Sequence, residues 1–310
     1  MNKIFIDGSA GTTGLRIRER LEARADIELL TLPEESRKDA EARRKMLNAA
    51  DAVFLCLPDD AAREAVSMIE NPNTVVLDTS TAHRTLEGWC YGFPELCAER
   101  EAAVKAAKRI AVPGCHASGF IALVYPLIKE GILPADAALT CTSLTGYSGG
   151  GKKMIAQYEA EDADALLGAP RQYGLTQQHK HLKEMKAITG LDNAPAFLPI
   201  VADFYSGMEV TVPLFAPQLN DGKTVEDIKR VYAQYYHTPL LSYAESADEE
   251  GFLSAAALSG KDSMQVSVHG NDERILLVAR YDNLGKGASG AAIECLNLVL
   301  GTEPYLGLEI

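Results

Sequence analysis

The chain has 310 residues, enough for about two domains, and its 30 lysines and arginines against 43 acidic residues give it a formal charge of −13. This charge disfavours nucleic acids and membrane surfaces as partners, and no apolar run approaches the roughly 20 residues of a membrane span. Six scattered cysteines without CxxC spacing, and an N-terminus without a signal-peptide core, predict a cytoplasmic protein with neither a disulfide framework nor a metal site.

The first 112 residues alternate between strand-like and helix-like segments. The predicted strands are 3–6, 27–32, 52–57, 74–78 and 109–112, and the predicted helices are 15–25, 38–49, 59–70 and 98–108. Almost wholly apolar strands that alternate with helices are typical of a parallel sheet covered on both faces. We therefore predict an α/β fold with a Rossmann-like, doubly wound parallel sheet.

A glycine-rich turn, GSAGTTG at 8–14, stands between the first strand and the first helix. Its GxxGxxG spacing allows a tight turn, a close backbone approach to phosphate, and helix N–H groups that meet a pyrophosphate. The motif alone is weak, but its place after the first strand supports a dinucleotide site. The predicted cofactor-binding residues here are Gly8, Ser9, Gly11, Thr12, Thr13 and Gly14.

The choice between NAD and NADP depends on the loop after the second strand. Glu34 lies twenty residues after Gly14, near the place where an acidic residue binds the ribose of NAD. Ser36, Arg37 and Lys38 could instead hold the 2′-phosphate of NADP, because that group needs positively charged donors. From these residues alone both cofactors stay open.

A cysteine stands where the last of these strands gives way to a helix, in the segment AVPGCHASGF at 111–120. Periodic apolar residues from Phe120 to Leu127 predict a helix that begins near Cys115 and ends before Gly131. A helix N-terminus favours the thiolate, and ligands of open α/β sheets bind beyond the carboxyl ends of the strands. We therefore predict that Cys115 is a nucleophile that faces a nicotinamide.

A thiolate beside a nicotinamide suggests the interconversion of an aldehyde and an acyl group through a thioester, with phosphate as the exchanging nucleophile. Such a site also needs a proton-transfer partner, and the segment QQHKHLKEM at 177–185 offers His179 and His181. These two side chains face apart on a helix and together on a strand. We therefore expect only one of them to touch the substrate.

Six segments, in this order, resemble those of the N-acetyl-γ-glutamyl-phosphate reductases, which are relatives of the aspartate-semialdehyde dehydrogenases. They are GSAGTTG, YGFPEL at 91–96, VPGCHAS at 112–118, YSGGGKK at 147–153, HKHLKE at 179–184 and DNLGKGASGAAIECLNLVLG at 282–301. The Pro-Gly-Cys motif is common to both enzymes, whereas the HxHxxE segment and YGFPEL point to the reductase. The length of the chain is similar to that of the shorter form of this reductase.

The resemblance implies an NADP-dependent enzyme of arginine biosynthesis that reduces N-acetyl-γ-glutamyl phosphate to N-acetyl-glutamate semialdehyde and phosphate. It places the nucleophile at Cys115 and the acid/base and substrate-contacting groups at His179 and His181. We expect the thiolate to attack the acyl phosphate, phosphate to leave, NADPH to reduce the thioester, and a histidine to protonate the collapsing thiohemiacetal. His116, where long-form members often have an aromatic residue, is a third candidate for proton transfer.

The resemblance also implies an NADP-binding domain at 1–114 plus 285–310, a catalytic and dimerisation α+β domain at 115–284, and a homodimer or homotetramer. The strand-like segments that agree with an α+β domain are 137–146, 208–216, 263–270 and 274–282. In the family the segment DNLGKGASG closes over the nicotinamide. Asn283, Lys286 and Gly287 of this segment are further predicted cofactor-binding residues, as are Ser148 and Gly149 of YSGGGKK.

The implied substrate carries an acyl phosphate and a carboxylate, so cations must gather at the site of a protein whose charge is −13. The predicted substrate-binding residues are Arg84, Lys180 and Glu184, and the other candidate cations are Lys152, Lys153, Arg171 and Lys183. The backbone of Ser148, Gly149 and Gly150 could donate to the phosphate or to an oxyanion.

Two other interpretations remain open. The nearest is another phosphorylating semialdehyde dehydrogenase, of the aspartate-semialdehyde type, which a panel of substrates would separate from the reductase. The second is a non-catalytic NADP-binding protein in which Cys115 is a redox sensor. The HxHxxE segment argues against the sensor, because a sensor does not need two histidines beside its thiol.

Overall fold

The computed structural model describes residues 1–310. The strands are β1 (Asn2–Asp7), β2 (Ile27–Leu30), β3 (Ala52–Leu55), β4 (Val75–Asp78), β5 (Cys90–Tyr91), β6 (Arg109–Ala111), β7 (Thr140–Gly146), β8 (Arg171–Gln172), β9 (Ala196–Ala202), β10 (Met208–Phe215), β11 (Leu241–Tyr243), β12 (Met264–Gly270) and β13 (Arg274–Tyr281). The α-helices are α1 (Thr12–Glu22), α2 (Ala40–Ala49), α3 (Asp59–Ser67), α4 (Ala98–Ala106), α5 (Cys115–Lys129), α6 (Gly151–Tyr158), α7 (Leu182–Thr189), α8 (Val225–Tyr235) and α9 (Gly290–Leu300). None of these helices combines the length and the apolarity that crossing a bilayer requires.

One compact unit is a six-stranded, wholly parallel sheet with helices on both faces. It comprises Met1–Pro94, Ala98–Gly114 and Ala288–Leu308, and its strand order is β2-β1-β3-β4-β6-β5. Ile4 and Phe54 point to one face and pack with α1 and α9, whereas Phe5 and Val53 point to the other and pack with α2 and α3. Burial on both faces explains the continuous apolar runs in the sequence. The doubly wound α/β prediction is confirmed.

The predicted elements of this unit are present, with ends that shift by a few residues. The first helix begins at Thr12, three residues earlier than its apolar pattern predicts. The third strand ends at Leu55, two residues earlier than predicted. The prediction lacked β5, because a strand of two residues carries no periodic signal.

The second unit is a mixed seven-stranded sheet of order β11-β12-β13-β10-β7-β9-β8. It comprises Glu95–Cys97, Cys115–Gly287 and Glu309–Ile310. The apolar helix α5 packs on β10 and β13 and is flanked by α7 and α8. Four strands lie close to their predicted positions, whereas β9 lacked a prediction because Pro199 interrupts its pattern.

Pro126 lies inside α5 and interrupts the backbone hydrogen bonding of that helix. A proline has no N–H, so the carbonyl oxygen of Ala122, four residues earlier, loses its helical partner. The hydroxyl of Tyr236 donates to this oxygen at 2.6 Å. A buried side chain from outside the helix therefore replaces the missing backbone bond.

Three short segments fall on the other side of the expected domain boundaries. Glu95–Cys97, Gly285–Gly287 and Glu309–Ile310 group with the second unit, although we expected them in the nucleotide-binding domain. Lys286 forms an ion pair with Glu95, and the backbone N–H of Glu309 donates to Asp262 Oδ2 at 2.9 Å. These contacts join residues that are distant in sequence, so composition along the chain does not indicate them.

Candidate active site

Cys115 is the first residue of α5, a helix of 15 residues, and is half-buried. Pro113 and Gly114 precede it, outside the helix. The unpaired N–H groups of a helix N-terminus carry a partial positive charge, which stabilises a thiolate. The structure therefore places Cys115 at a helix N-terminus, as the sequence pattern predicts.

Tyr281 of β13 is inserted into the first turn of α5. Its hydroxyl donates to the carbonyl oxygen of Cys115 at 2.6 Å and accepts from the N–H of Gly119 at 3.0 Å. In a regular helix these two backbone groups would bond to each other. A Cβ on residue 119 would lie 2.7 Å from the hydroxyl, so only glycine admits the tyrosine. Tyr281 thereby fixes the backbone that carries the thiol.

A cavity of about 570 Å³ opens beside Cys115 within the second unit. Its lining is formed mainly by polar and charged side chains and by glycine backbone, and includes Cys115, His116, Gly149, Gly150, Arg171, Tyr173, His179, Lys180 and His181. A thiol, three imidazoles and two cations therefore surround one space.

The imidazoles of His116, His179 and His181 converge on this cavity. The ring centroid of His116 lies 5.7 Å from that of His179 and 5.6 Å from that of His181, and the last two are 4.7 Å apart. His179 and His181 lie in a turn before α7, where neither helix nor strand periodicity applies. The periodicity argument for contact by only one histidine therefore does not hold.

The predicted substrate residue Glu184 lies in the first turn of α7 and is almost fully buried. Its Oε1 is 4.0 Å from His181 Nε2. It is outside the cavity lining, so its carboxylate meets the histidine rather than the open space.

His116 is fully enclosed. Its Nδ1 lies 2.7 Å from Ser143 Oγ, and its Nε2 lies 2.6 Å from the hydroxyl of Tyr173. Burial, with a smaller contribution from the charge of His179, lowers the pKa of His116 to about 3. The ring is therefore neutral at neutral pH and holds no imidazolium proton to transfer.

The candidate cations fall into three groups. Arg171 and Lys180 line the cavity. Lys152, Lys153 and Lys183 are exposed and lie outside its lining. The predicted substrate residue Arg84 belongs to the first unit and is buried, and it donates to the carbonyl oxygens of Val112 at 2.9 Å and Thr79 at 3.0 Å. Arg84 therefore braces the backbone that leads to Cys115.

The glycine-rich turn of the first unit has the geometry that a pyrophosphate needs. Gly8 has φ of +89°, and a Cβ on Gly14 would lie 2.6 Å from the carbonyl oxygen of Gly8. Gly11 is the N-cap of α1 and makes no side-chain cap, and Thr12 and Thr13 form the first turn. A phosphate can therefore approach the N–H groups of α1 closely.

A second cavity, of about 290 Å³, lies beside this turn. Gly8, Ser9, Arg37 and Lys38 are in its lining, whereas Glu34 and Ser36 are not. The carboxylate of Glu34 is exposed and pairs with Arg37 at 3.7 Å.

The other predicted cofactor residues lie in the second unit. Asn283 Nδ2 donates to Ser148 Oγ at 3.0 Å, and Asn283 Oδ1 accepts from the N–H of Gly207. A Cβ on Gly287 would lie 3.1 Å from Cys115 Cβ, so this glycine allows close packing against Cys115. Lys286 is buried in its pair with Glu95.

Three residues near the thiol had no signal in the sequence, namely Ser143, Tyr173 and Tyr281. Each reaches Cys115 or His116 from a different strand or loop. No motif spacing links them, since the pairing of distant segments brings them together. A glycine at position 119, inside an apolar helix, was the one unusual feature that could have indicated a close approach.

Residues 3–104 match the family described as "Semialdehyde dehydrogenase, NAD binding domain", and residues 115–283 match "Semialdehyde dehydrogenase, dimerisation domain". The chain is 46% identical over 321 residues to N-acetyl-gamma-glutamyl-phosphate reductase 2 of Nostoc sp., and the alignment covers 99% of each chain. It is 48% identical over 305 residues to N-acetyl-gamma-glutamyl-phosphate reductase of Chelativorans sp., and this alignment covers 96% of this chain and 98% of the relative.

Among solved structures, the chain is similar to aspartate semialdehyde dehydrogenase II of Vibrio cholerae in complex with ASA. The TM-score is 0.73 at 16% identity, over 97% of this chain and 98% of the other. At this identity the similarity establishes the fold.

Proposed function

The chain belongs to the semialdehyde dehydrogenase family, and we propose that it is an N-acetyl-γ-glutamyl-phosphate reductase of arginine biosynthesis. It would reduce N-acetyl-γ-glutamyl phosphate to N-acetyl-glutamate semialdehyde and phosphate. The observation that carries the chemistry is the Cys115 thiol at a helix N-terminus, in a cavity with three histidines and two cations. The substrate is favoured over aspartyl phosphate because the relatives that are 46–48% identical over almost the whole chain are named for it.

The first chemical step belongs to Cys115. The thiolate attacks the γ-carbonyl carbon, a C–S bond forms, and the C–O bond to phosphate breaks with its electron pair on the leaving oxygen. Arg171 and Lys180 line the cavity and offset the charge of the phosphate. The product of this step is a thioester on Cys115.

The second step converts the thioester to an aldehyde. NADPH, when bound, supplies a hydride to the thioester carbon. The C=O electron pair moves onto the oxygen as the hydride adds, and it re-forms the C=O bond as the C–S bond breaks and returns the Cys115 thiolate. His179 or His181 protonates this oxygen in the thiohemiacetal and takes the proton back on collapse. The one proton that the overall reduction consumes ends on the phosphate released in the first step. We assign this role to His179 or His181 rather than to His116, because burial lowers the pKa of His116 to about 3.

The proposed cofactor is NADP. Gly8, Gly11 and Gly14 would hold its pyrophosphate at the N-terminus of α1. Arg37 and Lys38 line the adjacent cavity and would hold the 2′-phosphate, whereas Glu34, the residue that would favour NAD, lies outside it.

We include in this proposal a cytoplasmic homodimer or homotetramer. The second unit matches a family part described as a dimerisation domain. The sheet face opposite α5 carries half-exposed apolar side chains, namely Leu144, Leu198, Ile200, Pro213 and Leu276. A second copy of the chain would cover this face.

The test is phosphate-dependent reduction of NADP by purified protein with N-acetyl-glutamate semialdehyde, with aspartate semialdehyde and NAD as comparisons. We expect turnover with the acetylated aldehyde and NADP, and loss of at least about 10³-fold in Cys115→Ser. A preference for aspartate semialdehyde would contradict the proposed substrate and would indicate an enzyme of the aspartate-semialdehyde type. Tight NADP binding without any turnover would instead support the redox sensor, and full activity of Cys115→Ser would refute the thioester route.

A further inference from the structure

Ser143 determines which nitrogen of His116 carries the hydrogen. Ser143 is fully buried on β7, and His116 Nδ1, at 2.7 Å, is the one hydrogen-bond partner of its hydroxyl in the structure. A buried hydroxyl hydrogen without an acceptor is costly. The hydroxyl therefore donates to Nδ1, because the opposite direction would leave the serine hydrogen with nothing to bond.

The tautomer of the neutral His116 ring also determines the direction of its hydrogen bond with Tyr173. A neutral imidazole has one N–H, and if Nδ1 accepts, the hydrogen is on Nε2. Nε2 lies 2.6 Å from the hydroxyl oxygen of Tyr173, so the imidazole donates and the tyrosine oxygen accepts. The hydroxyl hydrogen of Tyr173 then cannot point at His116.

The remaining direction for this hydrogen is the cavity that Tyr173 shares with Cys115. His116 is the one hydrogen-bond partner of the Tyr173 hydroxyl within the protein. Burial, with a smaller effect of the nearby Cys115 charge, raises the pKa of Tyr173, so the phenol keeps its proton beside a thiolate. A neutral donor is thus held next to the nucleophile.

We propose that Tyr173 donates a hydrogen bond to the substrate carbonyl oxygen at Cys115, and that Ser143 and His116 are positioning residues that orient this donor. When the thiolate attacks, the C=O electron pair moves onto that oxygen, and Tyr173 stabilises the negative charge without losing its proton. The same oxygen becomes charged again when the thioester is reduced. Proton transfer remains the separate role of His179 or His181.

This inference rests on the proposed function, and kinetics of four variants test it. We expect Tyr173→Phe to lower kcat by about 100-fold and to change KM by less than about threefold, because the donor acts on charge that develops during reaction. Ser143→Ala leaves His116 free to take its other tautomer, and we expect kcat to fall about fivefold to tenfold as fewer molecules orient the donor. Tyr243→Phe, on β11 and outside the cavity, is the matched control and should keep wild-type kcat.

The double variant separates orientation from general damage. Without the Tyr173 hydroxyl there is nothing to orient, so Ser143→Ala should cause no further loss in the Tyr173→Phe background. Multiplicative losses would show that Ser143 acts on something else and would overturn the orienting role. Full kcat in Tyr173→Phe, together with an active wild-type enzyme, would overturn the inference and leave the proposed function standing.

A second readout does not depend on turnover. The nitrogen NMR shifts of His116 in the substrate-free protein should report the Nε2–H tautomer, and those of Ser143→Ala should report an increased share of Nδ1–H. The Nδ1–H tautomer in the wild-type protein would refute the orientation argument. Absence of wild-type turnover with every aldehyde would remove the proposed function, and with it the role of Tyr173 toward a substrate.

Discussion

Acidification should destabilise this protein through His116. The unfolded chain binds a proton at this histidine with a pKa of about 6.5, whereas burial lowers the pKa of the folded state to about 3. Between these two values the unfolded state binds more protons than the folded state. The free energy of unfolding therefore falls as the pH decreases through 6.5, and the loss continues until about pH 3.

The size of this effect follows from the two pKa values. The loss approaches about 1.4 kcal/mol for each pH unit below 6.5, which gives about 2 kcal/mol between pH 7 and pH 5. The measurement is the urea dependence of far-UV circular dichroism at both pH values, for the wild-type protein and for His116→Gln. The carboxyls of Asp7, which is buried, and Glu209, which is half-buried, have pKa values that desolvation raises. Both titrate in both proteins, so their effect cancels in the difference.

We expect the wild-type protein to lose about 2 kcal/mol more than His116→Gln over this range. Equal losses in the two proteins would refute the argument, because a histidine that titrates normally in the fold adds no pH dependence. NMR titration of the His116 ring gives an independent check. A midpoint near 6.5 in the folded protein would contradict the burial that the structure shows.

Four further changes have defined outcomes. Arg37→Ala should raise KM for NADP by about tenfold or more and leave KM for NAD unchanged, since one charged hydrogen bond to the 2′-phosphate is lost; an equal rise for both cofactors would contradict its role. Gly119→Ala should cost about 1–3 kcal/mol in thermal unfolding, because its Cβ would meet Tyr281, and adding Tyr281→Phe should recover part of that loss. Tyr281→Phe alone should lower kcat while NADP binding persists, and an unchanged kcat would show that the first turn of α5 needs no such support. Gly14→Ala should abolish NADP binding in calorimetry, because its Cβ would lie 2.6 Å from a carbonyl oxygen.

Local pattern was sufficient for the nucleotide-binding sheet and for the position of Cys115 at the start of a helix. Strands such as β1 and β3 are buried on both faces, so their apolar runs are visible without a structure. The start of α5 at Cys115 was also predictable, because Pro113, Gly114 and the periodic apolar residues that follow are all signals within one short segment.

The surroundings of the thiol were decided by the tertiary structure. The hydroxyl of Tyr281 bonds to Cys115, 166 residues earlier in the chain. His116 bonds to both Ser143 and Tyr173, and Tyr173 is 57 residues away from His116 in sequence. A hydrogen bond over such a separation depends on strand pairing and on the three-dimensional path of the chain. Nothing in residue type or spacing records it.

The histidines and Arg84 show the same division. Composition and resemblance select His179 and His181, but the turn before α7 brings both rings to one cavity in a way that no periodicity could predict. Arg84 is a cation by sequence, and only its burial among backbone carbonyls shows what it binds. The sequence determines which chemical groups are available, and packing determines which of them meet, because direction and solvent exclusion exist only in the folded chain.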